Sequence, residues 1–122
     1  MKINWWPFAI VIYTDNLPET VGGRTNYFIV RIRPKYEKDV GIHKHELKHV
    51  SFNWMGLLVF TGLLSTFYKP FRLWDEAQAY KEQMLWPDAD GNRMALNEAA
   101  RRLSSGHYGD ITMDEARAAL QS

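Results

Sequence analysis

The chain has 122 residues, enough for one domain with a modest core. Hydrophobic residues make up 46% and charged residues 24%, a globular rather than a disordered composition, and the net charge of +1 gives no strong field toward nucleic acid or an anionic membrane. There is no cysteine, which excludes disulfide scaffolds and thiol nucleophiles and leaves any metal to His, Asp or Glu.

Residues 1–7 open like a secretory signal, but the apolar stretch 8–12 is too short and lacks a small-residue cleavage site, so a cytoplasmic location is expected. Phe8-Ala9-Ile10-Val11-Ile12-Tyr13 reads as a strand, closed by the turn-forming Asp15-Asn16-Leu17-Pro18. Residues 25–33 read as a second strand. In its later half Phe28, Val30 and Ile32 alternate with Ile29, Arg31 and Arg33, as on a sheet with one buried face. The two are expected to pair as a hairpin or as sheet neighbours. Residues 1–40 thus form a β-rich segment.

Helical periodicity takes over from about Gly41, with Gly56 and Gly62 as candidate interruptions and Lys69-Pro70 as a stop. Between His49 and Tyr68 there is no Asp, Glu, Lys or Arg, a length close to a membrane span. Its uninterrupted apolar part is only about ten residues, and a buried core helix is the expectation. A second helix is expected from Phe71 or Arg72 to Trp86, before Pro87 and the turn Asp88-Ala89-Asp90-Gly91. Residues 41–86 hold these two helices.

Residues 92–122 form a helical tail, with one helix at about 93–103. Another follows Thr112, where Thr112-Met113-Asp114-Glu115 is a capping box. Strands followed by helices predict an α+β fold in a single domain, 1–122.

The chemistry lies in His45-Glu46-Leu47-Lys48-His49. Residues four apart on a helix stand one above the other, so His45 and His49 can offer two imidazole nitrogens to one metal ion. Glu46 sits about a hundred degrees around the helix, placed to act as a base toward a metal-activated water without binding the metal. Leu47, Val50, Trp54, Leu57 and Leu58 form an apolar stripe on the other side. His43, two residues before His45, is expected to point elsewhere.

A third ligand must come from downstream. On the 72–86 helix, Glu76 lies between Leu73, Tyr80 and Gln83, on the apolar face, while Asp75, Gln78, Lys81 and Glu82 are expected toward solvent. A carboxylate on an apolar face is costly unless paired or metal-bound, which singles out Glu76. A salt bridge to Arg72 is the competing explanation. His107, in Ser105-Gly106-His107-Tyr108-Gly109-Asp110, ranks second as a ligand, and His107 and Tyr108 are candidates for contact with substrate.

Over roughly residues 25–84 the sequence resembles the gluzincin class of zinc metallopeptidases, and within it short phage-encoded metallopeptidase-like proteins. His45, Glu46 and His49 match the H-E-x-x-H motif, and Glu76 in Trp74-Asp75-Glu76-Ala77-Gln78-Ala79-Tyr80 matches the glutamate helix. The resemblance implies a minimal zincin-like fold and one zinc per chain on His45, His49 and Glu76. It also implies Glu46 as general base and a peptide or protein substrate. Many gluzincins carry an acidic residue one turn after the glutamate ligand, to orient a histidine; this chain has Tyr80. Three roles are open to Tyr80: a hydrogen bond to a ligand, oxyanion stabilisation, or packing in the core, with packing the leading expectation. Two other readings stand beside the enzyme: a non-catalytic interaction module using the Trp-rich surface or the tail helices, and a membrane-associated protein with residues 52–67 inserted. No nucleic-acid partner is expected, since the tail helices carry too few basic residues.

Overall fold

The computed structural model describes residues 1–55, 68–106 and 108–122. The first half is a four-stranded sheet. β1 (Lys2–Trp5) pairs antiparallel with β2 (Phe8–Tyr13), with Trp5 opposite Phe8. The apolar run 8–13 is a strand as expected; β1, mostly exposed and mixed in polarity, had no pattern to announce it.

The expected strand 25–33 is two strands. β3 (Gly23–Asn26) turns at Tyr27 and Phe28 into β4 (Ile29–Ile32), and the two pair antiparallel. Tyr27 takes the positive φ of 58° that the tight turn requires. With neither Gly nor Pro there, the turn left no mark in the sequence. The alternation in the second half holds: Val30 and Ile32 are fully buried. β4 runs parallel to β2, which gives the order β1-β2-β4-β3 and leaves β3 as an edge.

A 3₁₀ turn (Pro34–Tyr36) leads to α1 (Val40–Met55), where the Asp39 carboxylate accepts a hydrogen bond from Ile42 N–H at 2.9 Å. Leu47 and Val50 pack on Ala9, Val11, Val30 and Ile32, so the apolar stripe of α1 lies on the sheet. Each fully buried Val or Ile contributes on the order of 1.5–3 kcal/mol. Trp54 departs from that stripe: it is 42% exposed and donates its Nε1–H to Phe8 O at 2.9 Å. Leu57, Leu58, Gly56, Gly62 and most of the uncharged stretch lie outside the described residues. Among the described residues, no helix is long and apolar enough to cross a membrane.

α2 (Lys69–Met84) begins with Pro70 in its first turn, so Lys69-Pro70 opens a helix. Gly41, in the first turn of α1, donates its N–H to Pro87 O at 3.0 Å. A Cβ there would come within 3.1 Å of Gln83 Cγ and 3.2 Å of Trp86 O, so a side chain at 41 would have to push these neighbours back by a few tenths of an ångström.

α3 (Leu96–Leu103) starts three residues later than its sequence pattern suggests, because Arg93 is taken up in a bridge with Pro87. α4 (Met113–Gln121) starts at the expected capping box, with Thr112 Oγ1 accepting from Glu115 N–H at 3.1 Å. Ala77 and Tyr80 of α2 form a second core with Ala99, Ala100, Leu103, Ile111, Ala116 and Leu120. The fold is α+β, and α2 is covered by α1 on one side and by the tail helices on the other.

Candidate metal centre

Where α1 meets α2, the seam between the two cores is filled by polar side chains. The Nε2 atoms of His45 and His49 converge on one carboxylate oxygen, Glu76 Oε1, at 3.4 and 3.1 Å. Two ligands held about 2.0–2.1 Å from one zinc at tetrahedral angles stand about 3.3–3.4 Å apart. The donor set and its spacing therefore fit zinc.

His45, Glu46 and His49 bring one ligand atom each within 4.8 Å of one another, and so do His49, Asp75 and Glu76. Hydrogen bonding decides the roles within these overlapping groups. Asp75 Oδ1 lies 3.2 Å from His49 Nδ1, the ring nitrogen that faces away from Glu76. A carboxylate on that nitrogen fixes the tautomer that leaves Nε2 free to face Glu76, so Asp75 is placed to orient the ring and Glu76 to share a metal with it. The expectation of a solvent-facing Asp75 is thus corrected: it is only 6% exposed. A helix wheel with a single buried face misplaces it, because α2 is buried on two sides.

Glu46 is buried, and Thr25 Oγ1 lies 3.3 Å from its Oε2 and 3.2 Å from its backbone oxygen. A hydroxyl has one proton, so Thr25 donates to one of these at a time. Glu46 Oε1 makes no hydrogen bond with any described residue. β3 approaches closely, and a Cβ at Gly23 would stand 3.3 Å from Glu46 Cγ. Neither Thr25 nor Asp75 was singled out by the sequence; the one available signal was the adjacency of Asp75 to Glu76.

The charges here are strongly coupled. Burial pushes the Glu76 carboxyl up, but His49 and His45 outweigh it and hold the group well below its ordinary 4.5. Burial likewise pushes the His49 imidazole down, and Glu76 and Asp75 overcome this to raise it well above 6.5. In the metal-free protein His49 thus carries the charge that offsets Glu76. Glu46 is raised, chiefly by burial and also by Glu76, against the opposing pull of His45, His49 and Thr25.

His45 is supported differently. Its Nδ1 is the one buried side-chain nitrogen or oxygen among the described residues with no hydrogen-bond partner. The Tyr80 and His45 rings pack nearly perpendicular to each other, 4.4 Å between centroids. Tyr80 joins the core, and its hydroxyl meets that of Tyr108 at 2.8 Å. Burial raises both phenols, so the pair stays protonated. A cleft of about 910 Å³ is lined by His45, Glu46, Tyr80 and Tyr108, with Gly23 on its β3 side.

The remaining candidates fall elsewhere. His43 is held by Tyr13 OH at 2.9 Å and Asp39 O at 2.7 Å, apart from the centre as expected. His107 lies outside the described residues. Arg72 directs Nε–H to Tyr108 O at 2.6 Å, and the ion pairs of Glu76 among the described residues are with His45 and His49. Arg33 spans Val21 O, Leu17 O, Pro18 O and Asp15, which makes it a loop strut. Arg31 reaches Asn26 Oδ1 at 3.2 Å.

No family model, curated protein or solved structure matches this chain. The metal-centre reading rests on the residues themselves.

Proposed function

We propose that the protein is a zinc-dependent hydrolase of peptide or amide bonds, gluzincin-like in its ligands and cytoplasmic in its place of action. The observation that carries this is the convergence of His45 Nε2 and His49 Nε2 on Glu76 Oε1, with the buried base Glu46 one residue from His45 at the edge of the cleft. His45, His49 and Glu76 would hold one zinc per chain, which supplies Lewis-acid polarisation and makes water a nucleophile at neutral pH.

The chain's own groups do the rest. Asp75 fixes the His49 ring, and Thr25 holds one oxygen of Glu46. Glu46 Oε1 takes the proton of the attacking water and returns it to the leaving nitrogen. The protonated Tyr80 and Tyr108 hydroxyls, hydrogen-bonded to each other at 2.8 Å, line the same cleft. The edge strand β3 is where an extended peptide can add.

The test is metal analysis of protein purified without added metal, with peptide cleavage assayed beside it. One zinc per chain is expected. Glu46→Gln keeps the zinc and lowers kcat by about 100- to 10,000-fold. Full activity in Glu46→Gln would remove the mechanism, and unchanged zinc in Glu76→Ala would remove the ligand assignment.

One observation favours a second reading, a non-catalytic interaction module: Trp5 and Trp6 are 77% and 89% exposed. That reading requires a partner held equally by Glu46→Gln and lost on Trp5→Ala with Trp6→Ala.

A further inference from the structure

Among the described residues five polar or charged side chains are buried: Asp39, His45, Glu46, Asp75 and Gln83. Asp39 caps α1, and the next three build the metal centre. Gln83 is 6% exposed and its carboxamide hydrogen-bonds to no described residue, but unlike His45 Nδ1 its polar atoms are not sealed from solvent. Its donors and acceptor are therefore met from outside the chain, by water or by whatever occupies the cleft.

The position of Gln83 says where that partner comes from. Glu76, Tyr80 and Gln83 follow one another along α2 at helical spacing, and Gln83 lines the same cleft as His45 and Glu46. Its stem is pinned where the first turn of α1 crosses, beside Gly41. Seven residues of helix place it about 10 Å beyond the Glu76 ligand. At about 3.3 Å per residue this is the length of about three residues of an extended peptide.

We propose that Gln83 is a substrate-binding residue whose carboxamide pairs with an amide unit of the bound peptide, donating N–H to its oxygen and accepting from its nitrogen. This rests on the hydrolase reading above and names what the cleft would recognise. The amide is either a main-chain unit, about three residues from the cleaved bond, or the side chain of an Asn or Gln. A carboxamide offers both donors and an acceptor, which is the complement of either.

The test uses Gln83→Met, which keeps the shape and removes the carboxamide. The probe is a peptide that the zinc-loaded protein cleaves, taken from a mixed-sequence library. Binding is measured on zinc-loaded Glu46→Gln protein with and without the second change. Gln83→Met should hold one zinc, melt no lower than its parent without peptide, and bind the peptide about tenfold more weakly. Single ester replacements along the peptide locate a main-chain partner: one position weakens the parent and has no further effect on Gln83→Met. Replacing each Asn or Gln of the peptide by Ala locates a side-chain partner in the same way.

Equal affinity in parent and Gln83→Met, or coupling at no position, would show that water alone satisfies the carboxamide and would overturn the proposal. A lower melting temperature without peptide would overturn it too, by showing that the group serves the fold. Should the parent hold zinc yet neither cleave nor bind any library peptide, the hydrolase reading itself fails, and that is visible before Gln83 is changed.

Discussion

Asp75 Oδ1 lies 3.2 Å from His49 Nδ1, on the far side of the imidazole from Glu76. Two consecutive residues of α2 thus address the two nitrogens of one ring, and in the proposed centre one would orient it and the other would share its metal. In this chain the carboxylate beside His49 Nδ1 precedes Glu76, the proposed ligand, and Tyr80, one turn after Glu76, packs on His45.

Removing that carboxylate should therefore act on metal affinity. Asp75→Ala is expected to weaken zinc binding about 10- to 100-fold, read by competition with a coloured chelator. Asp75→Asn, whose amide oxygen still accepts from Nδ1–H, should lose less. Equal losses in the two would show that charge, not orientation, is what Asp75 supplies.

The metal-free protein has a pH window set by its coupled groups. Glu76 is depressed below 4.5, so its stabilisation is present above that value and is lost as pH falls through its folded pKa. His49 is raised above 6.5, so its stabilisation is complete below 6.5 and is lost as pH rises through its folded pKa. Glu46, raised by burial, works in the same direction as His49. Metal-free protein should therefore melt highest between about pH 4.5 and 6.5. A melting temperature that keeps climbing to pH 8 in chelator would contradict this.

Zinc needs His49 without its proton, so its effect runs the other way. The zinc-induced rise in melting temperature should grow from pH 5.5 to pH 8. At a free zinc concentration of 100 times Kd the gain is about 2.7 kcal/mol. Scanning calorimetry with and without zinc at both pH values checks the trend, and proton release on zinc addition checks its cause.

Thr25→Val removes the hydroxyl from Glu46 while keeping the shape. Because that hydrogen bond lowers the Glu46 pKa, its loss raises the pKa, and the acidic limb of the pH–rate profile should move to higher pH. Zinc content should stay at one per chain. A limb that does not move would detach Thr25 from the base.

Thr112→Ala tests the fold away from the centre. It breaks the capping box of α4 and should cost about 1 kcal/mol, or about 4 °C in melting temperature, with zinc binding unchanged.

Much of the molecule was legible one element at a time. The apolar run of β2, the alternation in β4, the capping box of α4 and the i, i+4 pair His45–His49 are local patterns, and local backbone periodicity is enough to fix them. Glu76 was legible for a related reason: a carboxylate on the apolar side of its own helix needs a partner wherever that helix lies.

What stayed hidden depends on which elements meet. The turn at Tyr27 uses residues that elsewhere continue a strand, and pairing with β2 and β3 decides between the two. Asp75 looks solvent-facing on a helix with one buried side and is buried against His49 only because α1 and the tail helices cover α2 from two directions. Thr25 reaches Glu46 because β3 is the edge strand beside α1. The sequence by itself determined the candidate donors, His45, His49 and Glu76, and the candidate base, Glu46. Only the tertiary structure decided which oxygen faces which nitrogen, because those contacts join residues more than twenty positions apart, at distances that no periodicity encodes.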